Sequence, residues 1–247
     1  WTTLEQRRIP YLEERAVKAL SLVEARPIDS YFQESGYAEA HPRSIRLTNV
    51  VNGEIDPSGY ADGNAPLVIP AGATKTWFLL FDMGELLNGL PQFVIEGAPG
   101  TNVEVIGIPF VPDAGFTYRV VDADLLDRVT LSGRRDTWQA QYFKPTRYLA
   151  LVVRVGQSPL KIHSLGVHSL SYPFVRQGYM RSSAMPWLSR YVQASEKTIE
   201  ACTIDGYTDN YRERRQYVQT AFYAALGNYW TFGDAALQRR CLLQAAQ

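Results

Sequence analysis

RYLALVVRV at 147–155 and LKIHSLGVHSL at 160–170 are two apolar, β-branched runs parted by Gly156 and Pro159. Runs of this length and composition, bounded by turn formers, read as strands. Working outward, the same signature recurs at Thr76–Phe81 (TWFLLF), Gln92–Glu96 (QFVIE), Asn102–Ile108 (NVEVIGI), Asp127–Leu131 and Thr137–Phe143 (TWQAQYF), with glycines, prolines and aspartates between. Short strands at roughly ten-residue spacing predict an antiparallel β-sandwich rather than a βαβ fold. Val103 and Val105 alternate with Asn102 and Glu104, as in a strand with one buried face.

After Tyr172 the period becomes helical. Ser183 offers an N-cap, Pro186 suits a first turn, and Trp187, Leu188, Tyr191, Val192, Ser195, Ile199 and Cys202 fit helical spacing up to Gly206. A second helix is predicted from about Glu213 to Tyr229, with Val218, Ala221, Phe222, Ala225 and Leu226 inward. Gly227-Asn228 and Gly233-Asp234 bracket a turn, and Asp234 caps a third helix carrying Leu237, Cys241 and Leu242. Residues 1–60 show little period: Leu12, Ala16, Ala19 and Leu20 make a weak helical stripe in a stretch that reads equally as extended. Turn formers crowd 52–64. The predicted organisation is a connector over 1–60, a β-sandwich over 61–172 and a helical segment over 173–247.

The 247 residues are 46% hydrophobic and 20% charged with zero formal net charge, a globular balance without the field that draws a chain to nucleic acid or anionic membrane. No apolar run approaches the ~20 residues of a membrane span. Trp1 in place of Met, and a helical pattern running to Gln247 without a stop signal, read as a fragment of something longer. Cys202 and Cys241 read as small buried hydrophobes, and His163 and His168 as structural. No phosphate-cradling loop, zinc-ligand spacing, nucleophile elbow or dinucleotide fingerprint occurs, so neither metal nor cofactor is expected.

DGYTDNYRERRQYVQTAFYAALGNYW, 205–230, crowds Asp209, Arg212, Glu213, Arg214 and Arg215 before an alanine-rich helix. Charges avoid burial, so a charged knot feeding a core-facing helix suggests a polar site sunk in a helical scaffold; a solvated helix start explains the same residues. The Arg212-Glu213-Arg214 run, with Asp209 upstream and Tyr217 downstream, resembles the signature of glycoside hydrolase family 78, the α-L-rhamnosidases. That loop reads roughly Asp-Cys-Pro-x-Arg-Glu-Arg-x-Gly-Trp-x-Gly-Asp at the mouth of an (α/α)6 barrel. Phe81-Asp82-Met83-Gly84, Gly97–Val105 and Phe143-x-x-x-Arg147-Tyr148 are similar, in order, to elements of the β-sandwich that precedes the family's barrel, and Leu4–Leu12 to the connector before it.

The resemblance implies an antiparallel β-sandwich followed by the first helices of an incomplete (α/α)6 barrel. It also implies inverting cleavage of terminal α-L-rhamnosyl residues, with Glu213 as general acid. Asp209, Arg212, Arg214, Tyr217 and Trp230 would bind the sugar, and the general base would lie beyond this chain. The partners implied are a rhamnose-containing carbohydrate and the rest of the same polypeptide. Two departures stand out: Asp209 lies four residues before Glu213 instead of five, and Thr220 replaces the downstream Asp. They feed two other readings, a non-catalytic carbohydrate-binding or structural sandwich with a relic loop, and an inverting hydrolase on the same barrel for a different sugar. Exposed aromatics of such a sandwich would come from Trp77, Tyr118, Trp138 and Tyr142, each also a natural core residue.

Overall fold

The computed structural model describes residues 7–28, 48–72, 75–111, 125–211 and 215–246, and the backbone of 43–45 and 116–118. Arg15–Ser169 form one compact unit, and Leu170 onward with the segment before Arg15 forms a second. In chain order the elements are β1 (Glu13–Lys18), β2 (Ser21–Ile28), β3 (Arg43–Ile45), a helical turn α1 (Ser58–Ala61), β4 (Leu67–Ile69), β5 (Lys75–Glu96), β6 (Asn102–Ile108), β7 (Phe116–Tyr118), β8 (Leu126–Thr130), β9 (Arg135–Gln139), β10 (Lys144–Val155), β11 (Leu160–Ser171), α2 (Leu188–Ala201), α3 (Val218–Thr231) and α4 (Ala235–Ala245). The protein is therefore mostly β, with helices gathered at the end. No helix among the described residues is long and apolar enough to cross a membrane.

Nine of these strands form one curled antiparallel sheet, ordered β1-β11-β5-β10-β6-β8, with β2 and β9 also on β5 and β4 on β11, while β3 and β7 pair as a separate two-stranded sheet. The curl is made by β5. Its first half (76–82) lies between β2 and β10, and its second half (89–96) between β9 and β11. Gly84, at φ 83°, stands at the hand-over, in a conformation that favours glycine. Asp82 accepts the Gly84 N–H (2.5 Å) and pairs with Arg147, so two motifs singled out in the sequence meet as a structural bracket.

Both halves of β5 face the same core. Trp77, Leu79 and Phe81 from the first and Phe93 and Ile95 from the second pack with Val103, Val105, Leu151, Val153, Leu165 and Val167. Trp138 lies 5.2 Å from Phe93, ring to ring. On the opposite face Phe78, Leu80, Ile106, Ala150 and Val152 make a second cluster. β6 thus departs from the one-sided pattern that its alternation suggests: Glu104, on the second face, is buried as well. Its carboxylate is held by Arg128 from β8 at 2.7 and 3.0 Å, a two-pronged contact that offsets desolvation. Glu24 in β2 is treated likewise, by Arg26 and the backbone N–H of Thr48 and Asn49. β1 and β2 come from the stretch whose period leaves helix and strand open, and they are extended.

In the second unit α3 buries Ala221, Ala225 and Asn228, at i, i+4 and i+7. Val218, Phe222 and Leu226, expected inward, are exposed, Phe222 by 56%. The small residues lie against the partners because they let Tyr207, Leu237 and Cys241 come close. Gly227-Asn228 is inside the helix rather than at a turn. Gly227 is there because a Cβ would stand 2.5 Å from Ile199 Cδ1 of α2. Helix starts also differ from expectation. α2 begins at Leu188 with Ser182, not Ser183, accepting an early N–H, from Met185, and it ends at Ala201, before Gly206. α3 starts at Val218, not Glu213, while Asp234 caps α4 as expected, accepting the Leu237 N–H at 3.0 Å. The connector after Tyr172 closes the C-terminus of α3: Gln177 and Gly178 both donate to Thr231 O at 2.8 Å, meeting a carbonyl that the helix leaves unpaired.

A Cβ on Gly89 would lie 2.3 Å from His168 O and 2.8 Å from Ser169 Cα, backbone that cannot swing aside, whereas a Cβ on Gly156 meets nothing within 4 Å. Gly89→Ala is expected to lower unfolding free energy by ~1–3 kcal/mol, and Gly156→Ala by less than about 0.5 kcal/mol. Denaturant melts of the two variants check this; equal effects would contradict the packing assigned to β5 and β11.

Candidate active site

The loop between α2 and α3 grows out of a helix end that satisfies itself from downstream. Asn210 donates its side-chain amide to Ala201 O at 2.7 Å, and Thr208 N reaches Cys202 O at 2.8 Å. Thr203 and Tyr207 form a single antiparallel bridge. Asp209 N then donates to Arg215 O at 3.2 Å, closing a short neck, and Asp209 Oδ1 accepts the Tyr211 N–H at 3.1 Å, the local turn that an Asp supports. Arg212, Glu213 and Arg214, which come between these residues in sequence, lie outside the described residues.

Of the remaining sugar-binding candidates, Asp209 is half-buried at the neck, and Tyr217, 40% exposed, sits immediately before α3. Trp230 is 83% exposed and thirteen residues further along, about 20 Å up the helix axis at the ordinary helical rise. Asp209 and Tyr217 thus flank one loop, and Trp230 belongs to the other end of the helix.

Behind the loop lies a polar support that sequence reading misses. Asn228, with no exposed surface, donates to Tyr207 Oη and to Asp234 O, both at 2.6 Å, and accepts Asp234 N at 3.2 Å. Tyr172 Oη donates to Asp234 Oδ2 at 2.8 Å. Burial pushes the Tyr207 and Tyr172 phenols above the usual tyrosine range, so both stay protonated, Tyr207 accepting from Asn228 and Tyr172 donating to Asp234. At the start of the loop Asp205 takes both arms of Arg7, at 2.8 and 2.9 Å, with Arg240 at 3.7 Å. The hydrogen bonds from Arg7 hold the Asp205 carboxyl below its ordinary range, and the same contact raises Arg7. An Asn within an apolar run is the one sequence sign of this support; the Arg7–Asp205 pair spans 198 residues and leaves none.

Elsewhere, Trp77 is core and Trp138 packs on Phe93. Tyr142 is exposed, while the Tyr118 side chain and His41 lie outside the described residues. His163 Nε2 is 3.4 Å from Glu96, and Cys202 and Cys241 are free thiols whose pKa burial raises. Two open clefts belong to the sheet unit: about 380 Å³ beside Glu54, Asp56 and Ser58, and about 290 Å³ beside Glu96 and Lys161. Among the described residues no group of three or more His, Cys, Asp or Glu is placed to hold a metal.

The fold has relatives among solved structures. A glycoside hydrolase family 78 rhamnosidase of Bacillus sp. GL1 matches with TM-score 0.65 at 28% identity, covering 72% of this chain and 18% of that one. A rhamnosidase from Klebsiella oxytoca with rhamnose bound matches with TM-score 0.63 at 17% identity, over 94% of this chain and 44% of that one. The α-L-rhamnosidase from Dictyoglumus thermophilum matches with TM-score 0.52 at 13% identity, over 72% and 21%. The chain is thus similar in structure to family 78 rhamnosidases, the family its motifs resemble, and spans less than half the length of each. No family model and no curated protein matches its sequence.

Two predictions follow from the support behind the loop. Asn228→Ala strands the Tyr207 hydroxyl and both Asp234 backbone groups in a dry site; a loss of ~3 kcal/mol is expected in urea melts, and a loss under about 0.5 kcal/mol would contradict the hub. For Asp205 the native pKa is depressed, so its contribution is present above the unfolded value of ~3.9 and fades as pH falls through the native one. The Tm gap between wild type and Asp205→Asn should therefore be largest above pH ~4 and close toward pH ~2. A gap constant over that range would refute the assignment.

Proposed function

We propose that this chain is part of an inverting glycosidase of the α-L-rhamnosidase type, with Glu213 as its general acid. The observation that carries the reading is the Arg212-Glu213-Arg214 loop, necked by Asp209 and Arg215 between two helices, in a chain whose fold is shared with family 78 rhamnosidases. In this reading residues 1–60 lead into the β-sandwich of 61–172, and 173–247 open an (α/α)6 barrel. Large apolar side chains left uncovered on α2 and α3, Tyr191, Phe222, Tyr223 and Leu226, suit helices that await further helices as neighbours.

The chemistry divides between two carboxyls. Glu213 delivers a proton to the departing glycosidic oxygen. A second carboxylate, supplied from sequence outside this chain, deprotonates a water on the opposite face of the ring, some ~6.5–9.5 Å away. A general acid needs a carboxyl that keeps its proton at the working pH, a demand that burial favours and neighbouring arginines oppose. Asp209 accepts sugar hydroxyls, and Tyr217 offers its ring face to the sugar's apolar side, with Arg212 and Arg214 as further donors. Trp230 would serve only a substrate long enough to reach the far end of α3.

A second reading is favoured by Thr220, which stands where the family signature has an Asp: a carbohydrate-binding or structural protein whose loop is a relic. Kinetics on the full-length polypeptide with an aryl α-L-rhamnoside separate the two. Glu213→Gln is expected to lower kcat by about 10²–10⁴-fold, the range of general-acid catalysis, with KM little changed. A full-length protein that binds rhamnose without turning over, or a Glu213→Gln variant with wild-type kcat, would overturn the enzymatic reading.

A further inference from the structure

One cleft of the sheet unit is bordered by three turns: 97–101 between β5 and β6, 132–134 between β8 and β9, and 156–159 between β10 and β11. It encloses about 290 Å³, with Ala98, Pro99 and Pro159 as its apolar lining and Glu96, Ser158 and Lys161 as its polar lining. Close approach sets the walls. A Cβ on Gly97 would stand 2.7 Å from Leu160 Cδ1 and 2.9 Å from Leu131 Cδ1, both buried leucines. Gly133, at φ 90°, lies against the Pro99 ring, where a Cβ would stand 3.0 Å away. Glu96 and Lys161 are register partners across β5 and β11, so both project to one face. Lys161 Nζ donates to Glu96 Oε1 at 2.9 Å, and Glu96 Oε2 lies 3.4 Å from His163 Nε2. Lys161 first, then His163, hold the Glu96 carboxyl below its ordinary range, so it stays an acceptor.

An ion pair exposed by 40% and 41% on its two sides contributes little to stability. Its chemistry toward a ligand is more specific. An ammonium has three donors and a carboxylate about four acceptor positions, so the contacts within the pair leave capacity on both groups. A donor and an acceptor 2.9 Å apart match two neighbouring hydroxyls on a ring, one accepting from Lys161 and the other donating to Glu96. An anion would meet Glu96 and a cation would meet Lys161, each at a like-charge cost that a neutral polyol avoids. Pro99 and Pro159, both exposed, offer apolar surface to a ring face. The volume stands at the foot of the ~300–1,000 Å³ range of small-molecule pockets, room for one ring rather than a chain.

We propose that this cleft is a second carbohydrate site, which holds one sugar ring by a vicinal diol between Lys161 and Glu96. That the diol belongs to a sugar rests on the reading of the chain as part of a glycosidase; the cleft's own groups select the diol and the ring. Amide exchange of the full-length protein in excess methyl α-L-rhamnoside tests it. Exchange at 96–101 and 156–161 is expected to slow when the sugar is added. Lys161→Met and Glu96→Gln, each removing one charged partner, should weaken binding there about tenfold or more and abolish the protection. Glycerol, a diol without a ring face, should leave both segments unprotected. No protection by the sugar, or protection that survives both substitutions, overturns the site. Equal protection by glycerol overturns ring recognition. Turnover of an aryl α-L-rhamnoside is read separately. Without it the glycosidase reading fails, and the exchange data still decide the cleft; turnover with an unprotected cleft overturns this proposal alone.

Discussion

A polar group without water must find its partners inside the protein, and Asn228 is where this constraint shapes the helical unit. Its amide bonds Tyr207 at the base of the loop and both backbone groups of Asp234 at the start of α4. One side chain thereby fixes three elements: the loop, the helix that follows it and the cap of the next. Such a network is expensive to satisfy in part, because each stranded group carries its own desolvation cost. Tyr172 adds the connector to the same set through Asp234. The segment that leads into the charged run therefore starts from a fixed base.

The sheet unit meets the same constraint with charges. Glu24 and Glu104 are buried in strands otherwise filled by Val, Ile, Leu and Phe, each held by an arginine, and Lys144 is buried against Asp127 at 3.2 Å. These pairs suit a sheet with apolar clusters on both of its faces. β5 makes that sheet continuous, serving two sets of neighbours along twenty-two residues.

The strands were legible because branched and aromatic residues cluster between turn formers, and β6, β10 and β11 lie where those runs lie. The unity of β5 was not legible. Gly84, Gly89 and Pro91 read as punctuation, yet Gly84 turns the strand between neighbours, Gly89 admits the backbone of β11, and Pro91, which has no N–H to donate, still holds register opposite Val167. On α3 Ala221 and Ala225 face the core as their spacing suggests, whereas Val218, Phe222 and Leu226, counted inward for their apolar bulk, face out. At the site, the charged run and its aromatic neighbours stood out in the sequence. The groups that hold the loop did not, since Arg7 and Asp205 are brought together only by folding.

The fold shared with rhamnosidases and the necked loop at 209–215 are joined in one account, a proton donor at position 213 working opposite a water. The stereochemical course of hydrolysis tests it most directly. Proton NMR of the first sugar released by the full-length protein from an aryl α-L-rhamnoside should show β-L-rhamnose before mutarotation. Release of the α-anomer would contradict the account, because it requires a covalent intermediate and closer carboxyls. So would the absence of any released sugar.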